Sequence, residues 1–375
     1  MTTNLPFDIF RTIYDHVSAK ADLARSCLVS KELLSIAQPL LYSSLEFTVF
    51  SFYKMPLRRL PLSIGPLEFY HDSRVGISTE LLLSTLRRNS LIRSYVRQVV
   101  VEGSWRTSQQ EKPKTNLTTM ESTLLEELLS LLPSAEGFVL RKLLNSLDVD
   151  RVVGRRQLQQ EDGQVVPNFC LIDPVVLPES RTEGLKARYN GFALFPRAGD
   201  TQQVGLDWLL HNSKDSVTGL GIPFEESTVL STFTQLTHLI LYIRNENPAL
   251  VFDHLFATIS SLDTLRSLHL ASLDQPIPLP PIFDLGKFAK SLPSLLSDLT
   301  LQRFKVPTTR VISFLRNLDS STSLKRFRCW KANDESGNSL SDERGGGEAK
   351  NDAAVNPVEE YGKRGITLIY VESIR

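Results

Sequence analysis

A six-residue pattern, Leu-x-x-Leu-x-Leu, recurs at nearly constant intervals in the second half of the chain and constrains the fold more than any other feature. Its copies are LTHLIL, LRSLHL, LSDLTL and LKRFRC, beginning at Leu236, Leu265, Leu296 and Leu324. They are separated by 29, 31 and 28 residues. Residues two apart point to the same side of a strand, so each copy predicts a short strand with one buried side. A unit of this length must bury that side against its neighbours.

Weaker copies of the pattern lie upstream, beginning at Tyr42, Val96, Ala135 and Val217. Their intervals, up to the regular block, are 54, 39, 82 and 19 residues, so the array requires insertions. LIYVESIR near the C-terminus predicts one last strand within 365–375. We therefore expect an α/β fold in which an irregular, solenoid-like array with parallel strands covers residues 46–331. An ordinary α/β domain with Leu-rich strands is the alternative.

Two segments do not fit the array. Residues 145–205 show no clear repeat, which predicts an inserted loop or a small extra layer. Residues 332–364 are polar and Gly-rich with few apolar anchors, which predicts a disordered loop before the terminal strand.

The first 45 residues predict three short amphipathic helices. Pro6 fits a first helical turn, after which Ile9, Ile13 and Val17 recur every four residues. Asp22 can begin a second helix, and Ser30 can cap a third. Helices of this length are marginal alone, because each buries little area. Either they pack on the rest of the chain, or part of their apolar surface binds another protein.

This stretch resembles an F-box. The resemblance rests on LPFDIF at 5–10, ADL at 21–23, LVSK at 28–31 and PLLYSSL at 39–45. Asp8 stands where the family usually has Glu, and Leu33 and Leu34 stand where a Trp is often found. In that family the segment docks on the Skp1 adaptor of a cullin-type ubiquitin ligase, while the rest of the chain selects a protein substrate.

The resemblance implies an F-box helical domain over residues 1–45 and a set of adaptor contacts within it. The implied contacts are Leu5, Pro6, Ile9, Leu28, Val29, Lys31 and Leu34. Ile13, Val17, Leu23 and Cys27 would instead hold the helices together. For each implied contact, packing in the core is the alternative.

The repeat array resembles the degenerate leucine-rich repeats that often follow an F-box in fungal proteins. Its outward strand positions carry imidazole, guanidinium and aromatic groups, types favoured at interaction hot spots. The candidate substrate-binding residues are His238, Tyr242, His269, Arg326, Arg328 and Trp330. A solvated strand face is the alternative interpretation of these positions.

Charge and motifs argue against other classes of function. The chain has 42 Lys and Arg residues against 42 Asp and Glu, which disfavours nucleic acid as a partner. No metal-ligand spacing, nucleophile elbow or phosphate loop is present, so we expect no enzyme and no cofactor. Asp148 and Asp150 could pair on a metal, but they read better as surface charge.

Three widely spaced cysteines give no disulfide framework, and no apolar stretch approaches the ~18 residues of a membrane span. We expect a cytoplasmic or nuclear protein without a membrane partner. The expected function is a substrate-receptor subunit of a Skp1, cullin and F-box ubiquitin ligase that binds an unknown target protein. A scaffold independent of ubiquitin ligation is the alternative, and an enzyme with a site in 145–205 is a third.

Overall fold

The computed structural model describes most of the chain in segments. These are residues 13, 14, 17, 19–53, 71–75, 77–107, 120–143, 146–159, 166–173, 185–194, 210–224, 230–243, 248–272, 277–278, 283–319, 322–331, 362 and 364–371. The chain divides into two compact units, Met1–Asn190 and Gly191–Arg375. Each unit combines parallel strands with helices.

The first unit contains six described helices and five strands. The helices are α1 (Lys20–Ser26), α2 (Lys31–Tyr42), α3 (Ile77–Arg88), α4 (Ser90–Tyr95), α5 (Met120–Leu131) and α6 (Ser146–Leu158). The strands are β1 (Ser44–Tyr53), β2 (His71–Val75), β3 (Gln98–Thr107), β4 (Gly137–Arg141) and β5 (Asn168–Ile172). Their spatial order is β2, β1, β3, β4, β5. Only the β2 and β1 pair is antiparallel among these neighbours.

Local sequence explains how α2 leads into the sheet. The Ser30 hydroxyl accepts a hydrogen bond from the Leu33 N–H at 3.2 Å and so caps the helix, as predicted. The helix ends at Tyr42, and β1 begins at Ser44 after a single residue. The expected boundary at residue 45 therefore falls inside β1, whose Leu45 and Phe47 are buried.

The second unit contains eight described strands and three α-helices. The strands are β6 (Gly191–Ala193), β7 (Gly219–Pro223), β8 (His238–Ile243), β9 (Ser267–Ser272), β10 (Ile277–Pro278), β11 (Asp298–Val306), β12 (Arg326–Lys331) and β13 (Thr367–Val371). The helices are α7 (Pro248–Ser260), α8 (Leu285–Ser291) and α9 (Thr308–Asn317), and His211–Ser213 forms a short 3-10 helix. Strands β6, β7, β8, β9, β11, β12 and β13 pair in parallel in that order, and β10 pairs with β11.

The repeat pattern sets the register of these strands. Leu239 lies opposite Leu268, which lies opposite Leu299. Each occupies the same position in its copy of the pattern, and each is buried. Burying one such side chain contributes roughly 1.5–3 kcal/mol. The predicted α/β class with parallel strands is confirmed, and the agreement of chain order with strand order is typical of a solenoid-like stack.

Aromatic rings fill the layer between the helices and β12. Phe283 contacts Phe252 at 4.8 Å and Phe288 at 5.1 Å between ring centroids. Phe314 continues the series to Phe327, with centroids 4.9 Å apart. Phe288 and Phe314 are also in contact, at 6.2 Å, and rings at these separations pack favourably, so they join α7, α8 and α9 to the buried side of β12.

The structure corrects the expectation for residues 145–205. Instead of an inserted loop or extra layer, their described part contains α6, β5 and β6. Strand β5 pairs with β4, and β6 pairs with β7, each in parallel. VPNFCL and YNGFAL are copies of the pattern with aromatic residues in place of Leu, and they divide the interval of 82 residues into steps of 31, 23 and 28.

The terminal strand β13 pairs in parallel with β12 and lies in the predicted segment 365–375. The loop predicted over 332–364 lies outside the described residues, apart from Gly362 and Arg364. None of the helices in the described ranges is both long enough and apolar enough to cross a membrane.

Candidate protein-interaction site

The turn between α1 and α2 presents two large apolar side chains to solvent. The Leu28 N–H donates to the Arg25 carbonyl at 3.0 Å, and the Val29 N–H donates to the Ser26 carbonyl at 3.2 Å. These bonds hold the turn, and the Ser30 cap starts α2 immediately afterwards. Leu28 is 88% exposed and Val29 is 72% exposed. We call this pair the apolar turn.

The apolar turn lies outside the small core that α1 and α2 share. Leu23 of α1 is buried, as are Ile36 and Ala37 of α2. Leu28 and Val29 contribute nothing comparable to this packing, so their surface is available to a partner. Burial of a fully exposed Leu or Val side chain is worth roughly 1.5–3 kcal/mol, which is enough to matter in binding.

The remaining implied adaptor contacts differ in position. Lys31 is exposed at the start of α2, and Leu34 is half-buried one turn later. Leu5, Pro6 and Ile9 lie outside the described residues. Adaptor binding by the set therefore stays a prediction, with the apolar turn as its best-defined part.

The second candidate surface is the outward side of β8, β9, β11 and β12, which we call the strand face. Two rows of side chains run across it through the register of the strands. The first row is His238, Ser267, Asp298 and Arg326, and the second is Ile240, His269, Thr300 and Arg328. Alternating burial separates these residues from the buried leucines between them.

All six candidate substrate-binding residues lie on the strand face. His238, Arg326 and Arg328 are exposed, whereas Tyr242, His269 and Trp330 are half-buried. The sequence pattern therefore brings them together on one surface of the second unit. Target binding by these residues stays a prediction.

An ion pair occupies one end of the first row. The Arg326 Nε donates a hydrogen bond to the Asp298 carboxylate, and the Ser297 hydroxyl donates to Asp298 Oδ2 at 2.7 Å. Partial burial raises the pKa of Asp298, but these hydrogen bonds and the charge of Arg326 outweigh it, and the pKa is lowered overall. The negative charge of Asp298 is thus matched by Arg326.

His269 occupies the centre of the second row. Burial lowers the pKa of His269, and the positive charge of Arg328 lowers it further, against a smaller opposing effect of Asp298. The imidazole is therefore neutral at pH 7 and can both donate and accept hydrogen bonds.

Two cationic residues on this surface were missed by the sequence reasoning. The pairing of β11 with β12 shifts in register between Leu301 and Lys305, which brings Lys305 beside Trp330. Within the bulge, Arg303 has a left-handed φ of 62° and is exposed. Strict alternation from Leu301 does not anticipate this shift, and no residue type in QRFK marks it.

The two aspartates weighed as metal ligands have different roles. Asp150 is 2% exposed, so its assignment to surface charge is wrong. It accepts hydrogen bonds from the Lys186 and Ala187 N–H groups and from the Tyr189 hydroxyl. Asp148 instead accepts from Arg151 at 2.9 Å. In the described ranges, no three His, Cys, Asp or Glu side chains are grouped so that they could hold a metal ion.

No family model matches the chain, and no curated protein is significantly similar to it.

Proposed function

We propose that this chain is the substrate-receptor subunit of a Skp1, cullin and F-box ubiquitin ligase. Its N-terminal helices bind a Skp1-like adaptor, through which a cullin is recruited, and its strand face binds a target protein. The observation that carries the proposal is the exposure of Leu28 and Val29. Both belong to the LVSK stretch that the F-box resemblance assigns to the adaptor contact.

The mechanism would be proximity. Holding a target beside a ubiquitin-charged enzyme raises the effective concentration of its lysines at that enzyme. The receptor needs only two binding surfaces for this, so none of its side chains has to take part in bond making. We further propose that the protein acts in the cytoplasm or nucleus.

The experiment is co-purification of Skp1 with the full chain after co-expression. Replacing both Leu28→Glu and Val29→Glu puts two charges where apolar contact is required, so Skp1 should be lost. Because both side chains are exposed, the free energy of unfolding should change little. Leu91→Glu is the matched control, since Leu91 is 56% exposed on α4 in the same unit.

Skp1 should be retained by the Leu91 variant. Equal retention by the doubly charged variant would remove the apolar turn from the interface and, with it, the main support for the proposal.

The strand face favours a second candidate, a protein-binding scaffold independent of ubiquitin ligation. Six interaction-prone side chains share that face whatever the N-terminal helices do. Failure of Skp1 to co-purify with the unmodified chain would favour the scaffold.

A further inference from the structure

One corner of the strand face carries three cationic side chains and an indole. Arg303 and Arg328 are exposed, and Lys305 is half-buried. Lys305 lies beside Trp330 in the register of β11 and β12, and Arg328 precedes Trp330 by two residues on the same side of β12. We call Arg303, Lys305, Arg328 and Trp330 the basic corner.

The positive charge of the basic corner is not compensated by neighbours in the part of the chain that the structure describes. None of its three cations forms an ion pair there. Asp298, the acidic residue on the same strands, is already matched by Arg326 and hydrogen-bonded by Ser297. Since the whole chain has no net charge, this surplus is a local feature.

Such a surface favours an anionic ligand of one particular kind. Arg328 can bind a carboxylate through two parallel hydrogen bonds, and Lys305 supplies a point charge next to an aromatic ring. A protein segment can present carboxylates and an apolar side chain a few residues apart. A nucleic acid would instead favour a series of stacking rings, and the basic corner holds one.

We propose that the basic corner binds an acidic segment of the target protein, with Asp or Glu carboxylates on Arg328 and Lys305 and an apolar side chain on Trp330. This inference rests on the proposed role as a substrate receptor and names the chemistry of its target. His269 lies in the same row as Arg328 and supplies a neutral hydrogen-bonding group at the edge of the basic corner.

The test begins with a library of short random peptides displayed on phage and selected on the full chain. The selected peptides should be enriched in Asp and Glu relative to the library. A fluorescent copy of one of them is then titrated with the unmodified chain and its variants, and binding is followed by anisotropy. A copy with Gln in place of each Glu and Asn in place of each Asp should not bind.

The decisive variants are Arg328→Glu and Lys305→Glu, each of which should weaken binding by about tenfold or more. Arg328→Gln should weaken peptide binding less than Arg328→Glu does. Arg316→Glu is the matched control, because Arg316 is an exposed residue of α9 and its reversal changes the net charge equally. The Arg316→Glu variant should bind the peptide with an affinity within about twofold of that of the unmodified chain.

Three results would overturn the inference: selected peptides without acidic enrichment, an Arg328→Glu variant that binds as well as the control, or equal displacement of the peptide by a single-stranded oligonucleotide. Skp1 co-purification is measured on the same preparations. If the chain binds acidic peptides but not Skp1, the ligase role is wrong and the basic corner remains a binding site. If it binds Skp1 but shows no preference for acidic peptides, the basic corner is not the site and the ligase role remains.

Discussion

The buried carboxylate of Asp150 ties α6 to the segment 185–190. It accepts from the Lys186 N–H at 2.8 Å, the Ala187 N–H at 3.0 Å and the Tyr189 hydroxyl at 3.1 Å. Tyr189 is fully buried, so its hydroxyl gains a partner that water does not supply. Asp150 lies within a polar, charged stretch of sequence that gives no sign of burial. Sequence reasoning therefore placed it on the surface.

Replacing Asp150→Ala should destabilise the protein by about 2–4 kcal/mol, because three donors lose their acceptor. Urea unfolding measures the change. Glu126→Ala is the control: Glu126 forms an ion pair with Arg155 at 2.8 Å whose side chains are 50% and 64% exposed, so its loss should cost less than about 1 kcal/mol. Equal losses for the two variants would contradict the assigned role of Asp150.

The Asp150 carboxylate also makes the free energy of unfolding depend on pH, and the direction of the change can be predicted. Burial raises the pKa of Asp150 above its ordinary value of 3.8, although its hydrogen bonds oppose the shift. A folded-state pKa above the unfolded one favours the folded protein at low pH, and this contribution is lost as pH rises through the folded pKa. Relative to Asp150→Asn, the unmodified chain should therefore lose unfolding free energy as pH rises above 3.8. A difference that is constant with pH would contradict this.

The Cys329 thiol should not react with thiol reagents in the folded protein. Its side chain is buried in β12, and burial raises the pKa of the thiol to about 12. Since the thiolate is the reactive form, a thiol reagent should reach Cys329 only after unfolding. Labelling followed by mass spectrometry measures this, with Cys27, which is only partly buried, as the internal comparison.

At the scale of elements, the repeat pattern predicted strands both where leucine fills it and where other apolar residues do. The copies at Leu236, Leu265 and Leu296 became β8, β9 and β11, and the weaker copy at Ala135 became β4. The sequence analysis did not predict β5 and β6, whose pattern positions include the buried aromatic residues Phe169, Tyr189 and Phe192. Aromatic rings bury as much surface as leucine, so the physical pattern was intact although the letters differed.

The repeat pattern did not predict the local backbone conformation after the strand core. Lys142, Asp173 and Arg303 all have left-handed φ values, and each follows the last buried residue of its pattern by two. Three copies thus share a bend that no common residue type signals, whereas Ile243 and Ser272 at the same position of their copies do not have a left-handed φ. For β11 this bend accompanies the register shift that brings Lys305 beside Trp330.

Replacing a buried leucine of the pattern should destabilise the protein far more than replacing an exposed leucine nearby. Leu270 is fully buried in β9, so Leu270→Ala should cost about 3–5 kcal/mol of unfolding free energy through lost contacts and a residual cavity. Leu295, which is 50% exposed, is the control, and Leu295→Ala should change stability by about 0.5 kcal/mol or less. Chemical denaturation compares the two, and similar losses would contradict the repeat assignment of β9.

For the whole molecule, the proposed receptor role requires two surfaces, the apolar turn of the first unit and the strand face of the second. Sequence reasoning identified both surfaces: the LVSK stretch contains the apolar turn, and the outward repeat positions form the strand face. It could not establish the exposure of Leu28 and Val29, since the sequence of a short turn does not reveal which of its side chains the neighbouring helices cover. It also could not assign Arg326 to Asp298, because the strand register brings them together.

We propose that the N-terminal helices, and not the repeat strands, bind the adaptor. The decisive measurement is hydrogen exchange of the full chain with and without purified Skp1. If the proposal is right, backbone amides in residues 20–34 gain protection when Skp1 is added, and exchange across β8, β9, β11 and β12 is unchanged. Unchanged exchange in residues 20–34, or new protection confined to those strands, would contradict it.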